Sequence, residues 1–159
     1  MLKAIPKSWL SWDFRFEEDS SVVAEIDVSH WREKADLTVA GSTYKLFREG
    51  WMSGAFVLEA DGAILARAEK PSALYRRFVV EHAGRRYTLK AARAFRRRFV
   101  LSEAGAEIGS VSPDGLFTRR ATADLPDGLP LPVKVFVVWL VLMLWRRAAN
   151  SASAAGAGH

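Results

Sequence analysis

The sequence predicts a mainly β fold: an antiparallel barrel of about twelve strands enclosing a C-terminal hydrophobic α-helix. Three observations lead there. Short alternating segments are joined by glycine turns at positions 62, 84 and 105, a spacing of 22 and 21 residues with no helical pattern between them. Val135 to Trp145 is an unbroken apolar run of eleven residues. The third is strand number: about eight strands make a barrel that side chains fill, and more leave a lumen that needs a plug. A helix apolar on every side must itself be surrounded.

The elements follow in order. Leu10, Trp12, Phe14 and Phe16 alternate with Ser11, Asp13 and Arg15, the period of a half-buried strand. VVAEIDV (22–28), a weaker LTVA (37–40) and TYKLF (43–47) come next. GAFVLEA (54–60) and AILARAEK (63–70) flank Asp61-Gly62, a pair suited to a two-residue turn with positive φ at both centres. LYRRFVVEH (74–82) and RRYTLKA (85–91) flank Ala83-Gly84; RRFVLSE (97–103) and AEIGSV (106–111) flank Ala104-Gly105. Pro113-Asp114-Gly115 turns the chain into LFTRRATA (116–123).

One hairpin fixes a register. With Ala83-Gly84 as a two-residue loop, His82 opposes Arg85, Val80 opposes Tyr87 and Phe78 opposes Leu89, so Phe78, Val80, Tyr87 and Leu89 share the inner face. The outer face then pairs Glu81 with Arg86, Val79 with Thr88 and Arg77 with Lys90. Further on, Phe99 and Leu101 point inward, so Arg96 and Arg98 point outward. The same parity sends Arg97 inward, which is costly for a cation unless it lies at the rim or is paired.

After a Pro- and Gly-rich loop, the helix is expected over about 131–147. Pro132 suits its first turn, and Arg146 and Arg147 suit its last. Leu131–Trp145 spans roughly 22 Å, short of the roughly 30 Å of a bilayer core, which favours enclosure in the barrel over a tail anchor formed by residues 131–145. Residues 1–147 make one domain, and 148–159 are expected to be a disordered tail.

Composition narrows the chemistry. The 159 residues are 50% hydrophobic and contain no cysteine, which removes disulfides, thiolate metal sites and cysteine nucleophiles. No secretory signal pattern opens the chain, so a cytoplasmic protein is expected, peripheral at the membrane where it binds lipid. His30, His82 and His159 form no acid–base or metal-ligand cluster, and no phosphate-binding loop or serine-nucleophile motif occurs. No enzyme activity, cofactor or metal is expected. Residues 1–70 hold 9 Lys/Arg against 12 Asp/Glu, and residues 71–159 hold 14 against 6.

The hairpins FVLEADGAILA, FVVEHAGRRYTL and FVLSEAGAEIGSV, followed by VKVFVVWLVLMLWRR, resemble the tubby-like superfamily of tubby domains, phospholipid scramblases and LURP-one-related proteins. The resemblance covers roughly residues 9–147. It implies a twelve-stranded barrel around a C-terminal hydrophobic helix, and a non-enzymatic role. Tubby domains bind phosphoinositide through basic barrel side chains. The scramblases' cysteine-rich and proline-rich segments are absent, and Asp114, Asp124 and Asp127 lack the spacing of a calcium loop, so lipid scrambling does not carry over.

The candidate site is the basic outer face: Arg77, Arg86, Lys90, Arg96 and Arg98, facing anionic phospholipid at a membrane surface. The alternative is an intracellular scaffold for protein partners. Nucleic acid is disfavoured, since no stacking aromatic stands among the outward positions.

Overall fold

The computed structural model describes residues 1–28, 33–50, 54–71, 76–93 and 97–156. Twelve strands close into one antiparallel barrel: β1 (Leu2–Pro6), β2 (Phe14–Glu18), β3 (Ser21–Val28), β4 (Lys34–Val39), β5 (Ser42–Arg48), β6 (Phe56–Ala60), β7 (Ala63–Glu69), β8 (Arg77–His82), β9 (Arg85–Ala91), β10 (Phe99–Glu103), β11 (Ala106–Pro113) and β12 (Ala121–Asp124). Each strand pairs with its sequence neighbours, and β12 returns to β1 through Leu2↔Ala123 and Ala4↔Ala121. The register expected for β8–β9 holds at all six pairs from Arg77↔Lys90 to His82↔Arg85.

One end of the barrel is made of two-residue turns. Asp19-Ser20, Ala40-Gly41, Asp61-Gly62, Ala83-Gly84 and Ala104-Gly105 all have positive φ at both residues, the geometry that matches the twist of paired strands. The three-turn repeat is therefore a five-turn repeat, in which Asp19-Ser20 makes the turn without glycine. Three residues after each turn stands an apolar side chain: Val23, Tyr44, Leu65, Tyr87 and Ile108, all packed on the core. In three hairpins a bulge brings that residue in, at Phe16/Glu17, Leu58/Glu59 and Leu101/Ser102. This ring closes the turn end.

Helix α1 (Leu131–Gly156) enters at the turn end and leaves at the other. Lys134, the one charge within its apolar stretch, reaches back to Asp127 at 3.8 Å. Every residue from Val135 to Trp145 is buried, including Phe136, Trp139 and Leu142. The barrel wall makes room with Ala4, Ala24, Ala66, Ala68, Ala121 and Ala123, while Phe14, Phe16, Phe56, Phe78 and Phe99 fill the remainder. The stretch from Leu131 to Trp145 is thus enclosed by strands, and among the described residues no helix is long and apolar enough to cross a membrane.

Four expectations need correction. The first strand does not begin at Leu10: Ser8 Oγ accepts the Ser11 N–H, Ser11 Oγ accepts the Asp13 N–H, and Asp13 Oδ1 accepts the Val28 N–H, so local side-chain bonds replace the ladder. Leu2–Pro6, unread in the sequence, is the closing strand. The segment 116–123 is extended only from Ala121, because the carbonyls before it are bonded to Arg97. Finally, the helix does not stop at 147 but runs exposed to Gly156. Its serines bond back to carbonyls one turn earlier, Ser151 to Arg147 and Ser153 to Ala149.

Candidate functional site

Apart from 125–130, which leads into the helix, the longer connections among the described residues lie at the end where the helix emerges: 7–13, 114–120, and the stretches at 33, 49–50, 54–55, 70–71, 76, 92–93 and 97–98. Charge is sorted between the two ends. Among the described residues, the loops of this end and the emerging helix carry ten cations: Lys7, Lys70, Arg76, Arg93, Arg97, Arg98, Arg119, Arg120, Arg146 and Arg147. They carry four acids, Asp13, Glu33, Glu49 and Asp114. Lys34, Arg48, Glu69 and Arg77 stand at the strand ends beside them. The turns of the other end and the loop before the helix carry Asp19, Asp61 and Asp127 and no Lys or Arg.

The strands carry ten cations and eleven acids, and several of them pair across the wall. Arg15 meets Glu17 at 2.9 Å, Arg67 meets Glu49 at 2.8 Å and Glu69 at 3.1 Å, and Arg85 meets Glu103 at 2.7 Å. Of the expected site, Arg86 is answered by Glu81 at 3.0 Å and Arg98 by Glu107 at 3.3 Å. Arg77 and Lys90 face each other without an ion pair among the described residues, both near the loop end. Arg96 lies outside the described residues, as do His30 and His159. The five residues therefore do not form one free basic face: Arg86 is matched on the wall, Arg98 lies at the loop end but is matched by Glu107, and Arg77 and Lys90 belong to the rim of the loop end.

The loop end is different because its cations exceed its acids. Glu33 is shared by Arg147 at 2.5 Å and Arg48 at 3.4 Å. Glu49 is taken by Arg67. Arg93, Arg120 and Arg146 have no ion pair among the described residues. The Lys70 ammonium is held below its ordinary pKa by desolvation, then by the nearby charges of Arg147, Arg76 and Arg48.

Arg97 resolves its parity conflict at this rim. It lies before β10 rather than in it, and its guanidinium sits 4.5 Å from the Trp145 ring centre. It donates to the carbonyls of Gly115, Leu116 and Thr118 at 3.4, 2.7 and 2.5 Å, while its own carbonyl accepts Trp145 Nε1–H at 3.2 Å. Desolvation lowers its pKa from an ordinary value far above neutrality. Arg119 does the same for the neighbouring loop, donating to the carbonyls of Ser8, Trp9 and Ser11 and lying over Trp12 at 5.5 Å. Both arginines bond to neutral carbonyls, so their charge is not cancelled.

The loops thus pinned display the four most exposed large apolar side chains among the described residues: Phe117 at 99%, Leu116 at 84%, Trp9 at 83% and Leu10 at 75%. Between loop 114–120 and the emerging helix lies a cleft of about 470 Å³, lined by Trp12, Arg76, Arg97, Phe117, Arg119, Trp145 and the alanines 148, 149 and 152. A second hollow of about 430 Å³ lies at the turn end beside His82, whose Nδ1 donates to the Leu65 carbonyl at 2.7 Å. That histidine is held by the wall. Among the described residues no group of His, Asp and Glu could hold a metal ion.

The sequence singled out three cations on the β8–β9 hairpin and two just before β10, and did not group them with the rest of this end. Its signal was present in part: Arg119-Arg120 and Arg146-Arg147 follow Phe117 and Trp145, but only barrel closure brings them together. No family model, curated protein or solved structure matches the chain.

Proposed function

We propose that this protein is a non-enzymatic tubby-like binding module for anionic phospholipid at a membrane surface. The observation that supports the reading is the charge sorting: ten cations against four acids in the loops and helix exit of one end, of which Lys7, Arg98 and Arg147 are ion-paired and Arg93, Arg120 and Arg146 have no ion pair among the described residues. The strands, by contrast, carry ten cations and eleven acids, a balanced wall. An anionic surface attracts each nearby Lys or Arg by about 1 kcal/mol, so a handful of unmatched cations supports weak, salt-sensitive association.

Flotation with phosphatidylserine-containing vesicles tests it. The triple variant R93E/R120E/R146E, together with R77E/K90E, is expected to lose flotation with the fold intact. R86E is expected to weaken it far less, since Glu81 already offsets that wall residue. Equal flotation of parent and the five-site variant, or no association of the parent at low salt, would refute lipid binding. The reading as an intracellular scaffold for protein partners would then lead, because the exposed Trp9, Leu10, Leu116 and Phe117 also suit a protein surface.

A further inference from the structure

We infer that the barrel docks end-on, with Trp9, Leu10, Leu116 and Phe117 entering the headgroup layer of an anionic bilayer. The inference rests on the lipid reading above and adds the orientation and the inserted residues.

Two independent features of the loop end carry it. The first is placement. The four most exposed large apolar side chains are not scattered; they sit as two adjacent pairs on loops 7–13 and 114–120, bridged by Arg119. Arg97 and Arg119 are bonded to these two loops, and Arg120 stands in one of them. Apolar tips on loops held by arginines match the two layers of an anionic membrane surface, acyl boundary and phosphate. A protein partner would have to supply the same two layers in the same order.

The second feature is the backbone. A loop entering a poorly hydrated layer must bring its carbonyls already hydrogen-bonded, because water is scarce there. Arg119 occupies the carbonyls of Ser8, Trp9 and Ser11, and Arg97 those of Gly115, Leu116 and Thr118. The carbonyls of Trp9 and Leu116, two of the inserting residues, are among them. In water these carbonyls could bond solvent instead; in the interface the same bonds lower the cost of immersion. The same two arginines, bonded to neutral groups, keep their charge for phosphate. Each stacks on a tryptophan, Trp12 or Trp145, whose rings fix the loops to the barrel.

The chain has no cysteine, so single labels can be placed without further change. Leu10→Cys and Phe117→Cys carry an environment-sensitive fluorophore at the loop end, and Ile64→Cys carries it at the turn end. With vesicles of phosphatidylserine in phosphatidylcholine, the labels at 10 and 117 are expected to shift to the blue and to be quenched by a shallow lipid-borne quencher. The label at 64 is expected to stay in water. Leu10→Ser/Phe117→Ser, with every charge retained, is expected to lower vesicle partitioning about tenfold. If the protein floats while labels at 10 and 117 remain in water, the insertion is refuted and lipid binding stands. If the parent does not float at low salt, the lipid reading fails and the insertion with it. A blue shift that needs no vesicles and grows with protein concentration overturns the inference in favour of a second copy of the chain.

Discussion

Replacing Trp139 by phenylalanine sets two opposing terms against each other. The side chain lies midway along the enclosed helix at 2% exposure, edge-on to Phe56 at 5.5 Å and stacked on Phe136 at 6.2 Å. Its indole N–H is buried with no hydrogen-bond partner among the described residues. Removing an unanswered buried donor recovers about 1–3 kcal/mol. The smaller ring leaves roughly 40 Å³, about 1 kcal/mol of cavity cost, plus roughly 1 kcal/mol of lost transfer energy. The sum places Trp139→Phe within about 1 kcal/mol of the parent, whereas Trp139→Ala loses about 3–5 kcal/mol because its far larger cavity outweighs the same recovered donor. Urea unfolding followed by far-UV circular dichroism, which does not depend on the indole, measures both. A phenylalanine variant that loses as much as the alanine variant would refute the account, since the N–H must then be engaged. Trp139→Asp is expected not to fold, and a folded, soluble Asp variant would show that the helix is not the core.

Three further outcomes follow from particular contacts. Gly109→Ala would place a Cβ 2.6 Å from the Asp124 carbonyl oxygen and 3.1 Å from Leu125 Cδ2, so on the order of 1–3 kcal/mol is lost. Gly62→Ala, at φ +79° with nothing within 4 Å, is expected to lose only about 1 kcal/mol from left-handed backbone strain; thermal melting ranks the two, and the reverse order contradicts the packing. Arg97→Met removes three carbonyl bonds and the stack on Trp145, so about 1–2 kcal/mol is expected after allowing for its partial exposure. Hydrogen exchange should rise at 114–120 and stay unchanged at the turns, and unchanged exchange at 114–120 would refute the pinning. Lys70 has a folded-state pKa below its unfolded value, so the folded chain binds fewer protons between the two. Its charge therefore destabilises the fold at neutral pH, and stability is regained as pH rises through the folded pKa. Lys70→Gln is expected to be more stable than the parent at pH 7, with the gap closing towards pH 10; a gap that does not depend on pH would contradict the assignment.

Much of the barrel was legible because its signals are local. Asp61-Gly62, Ala83-Gly84 and Ala104-Gly105 announce turns whose two residues fix the register on either side, and the β8–β9 pairing follows residue by residue. The helix was legible because eleven apolar residues leave no face for water. Leu2–Pro6 was missed because five residues, with Leu2 and Ala4 alone fully buried, give too short an alternation to stand out. Leu10–Trp12 and Leu116–Phe117 misled because alternation continues through segments whose carbonyls and hydroxyls are bonded elsewhere. Arg97 was legible as a conflict, an inward cation, and its resolution needed the positions of Trp145 and loop 114–120. The candidate site was the least legible part. Its cations come from separate loops and the helix exit, spread from Lys7 to Arg147. Counting charge by halves of the chain gave an acidic first half and a basic second half, whereas closure sorts it by ends.

Closure also limits where recognition can take place. A barrel with every strand paired on both sides offers no edge for an added strand, which removes one common mode of peptide capture. The lumen is filled by the helix from Val135 to Trp145, so no ligand enters there without displacing the core. The strands balance ten cations with eleven acids, and Arg15, Arg67, Arg85 and Arg86 are paired there, while Arg77 and Lys90 stand near the loop end without an ion pair among the described residues. The turn end is short, tight and without a cation in its turns. What remains is the loop end, and each of its unusual features has the same direction. Excess charge is retained there, apolar side chains are displayed rather than buried, and two arginines satisfy loop carbonyls that water could otherwise serve. The helix that fills the barrel also emerges there, with Arg147 tied to Glu33 and Arg146 left unmatched among the described residues. Stability and binding are therefore divided along one axis: the enclosed part of the helix holds the fold, and its emerging end adds charge to the surface on which the lipid proposal rests.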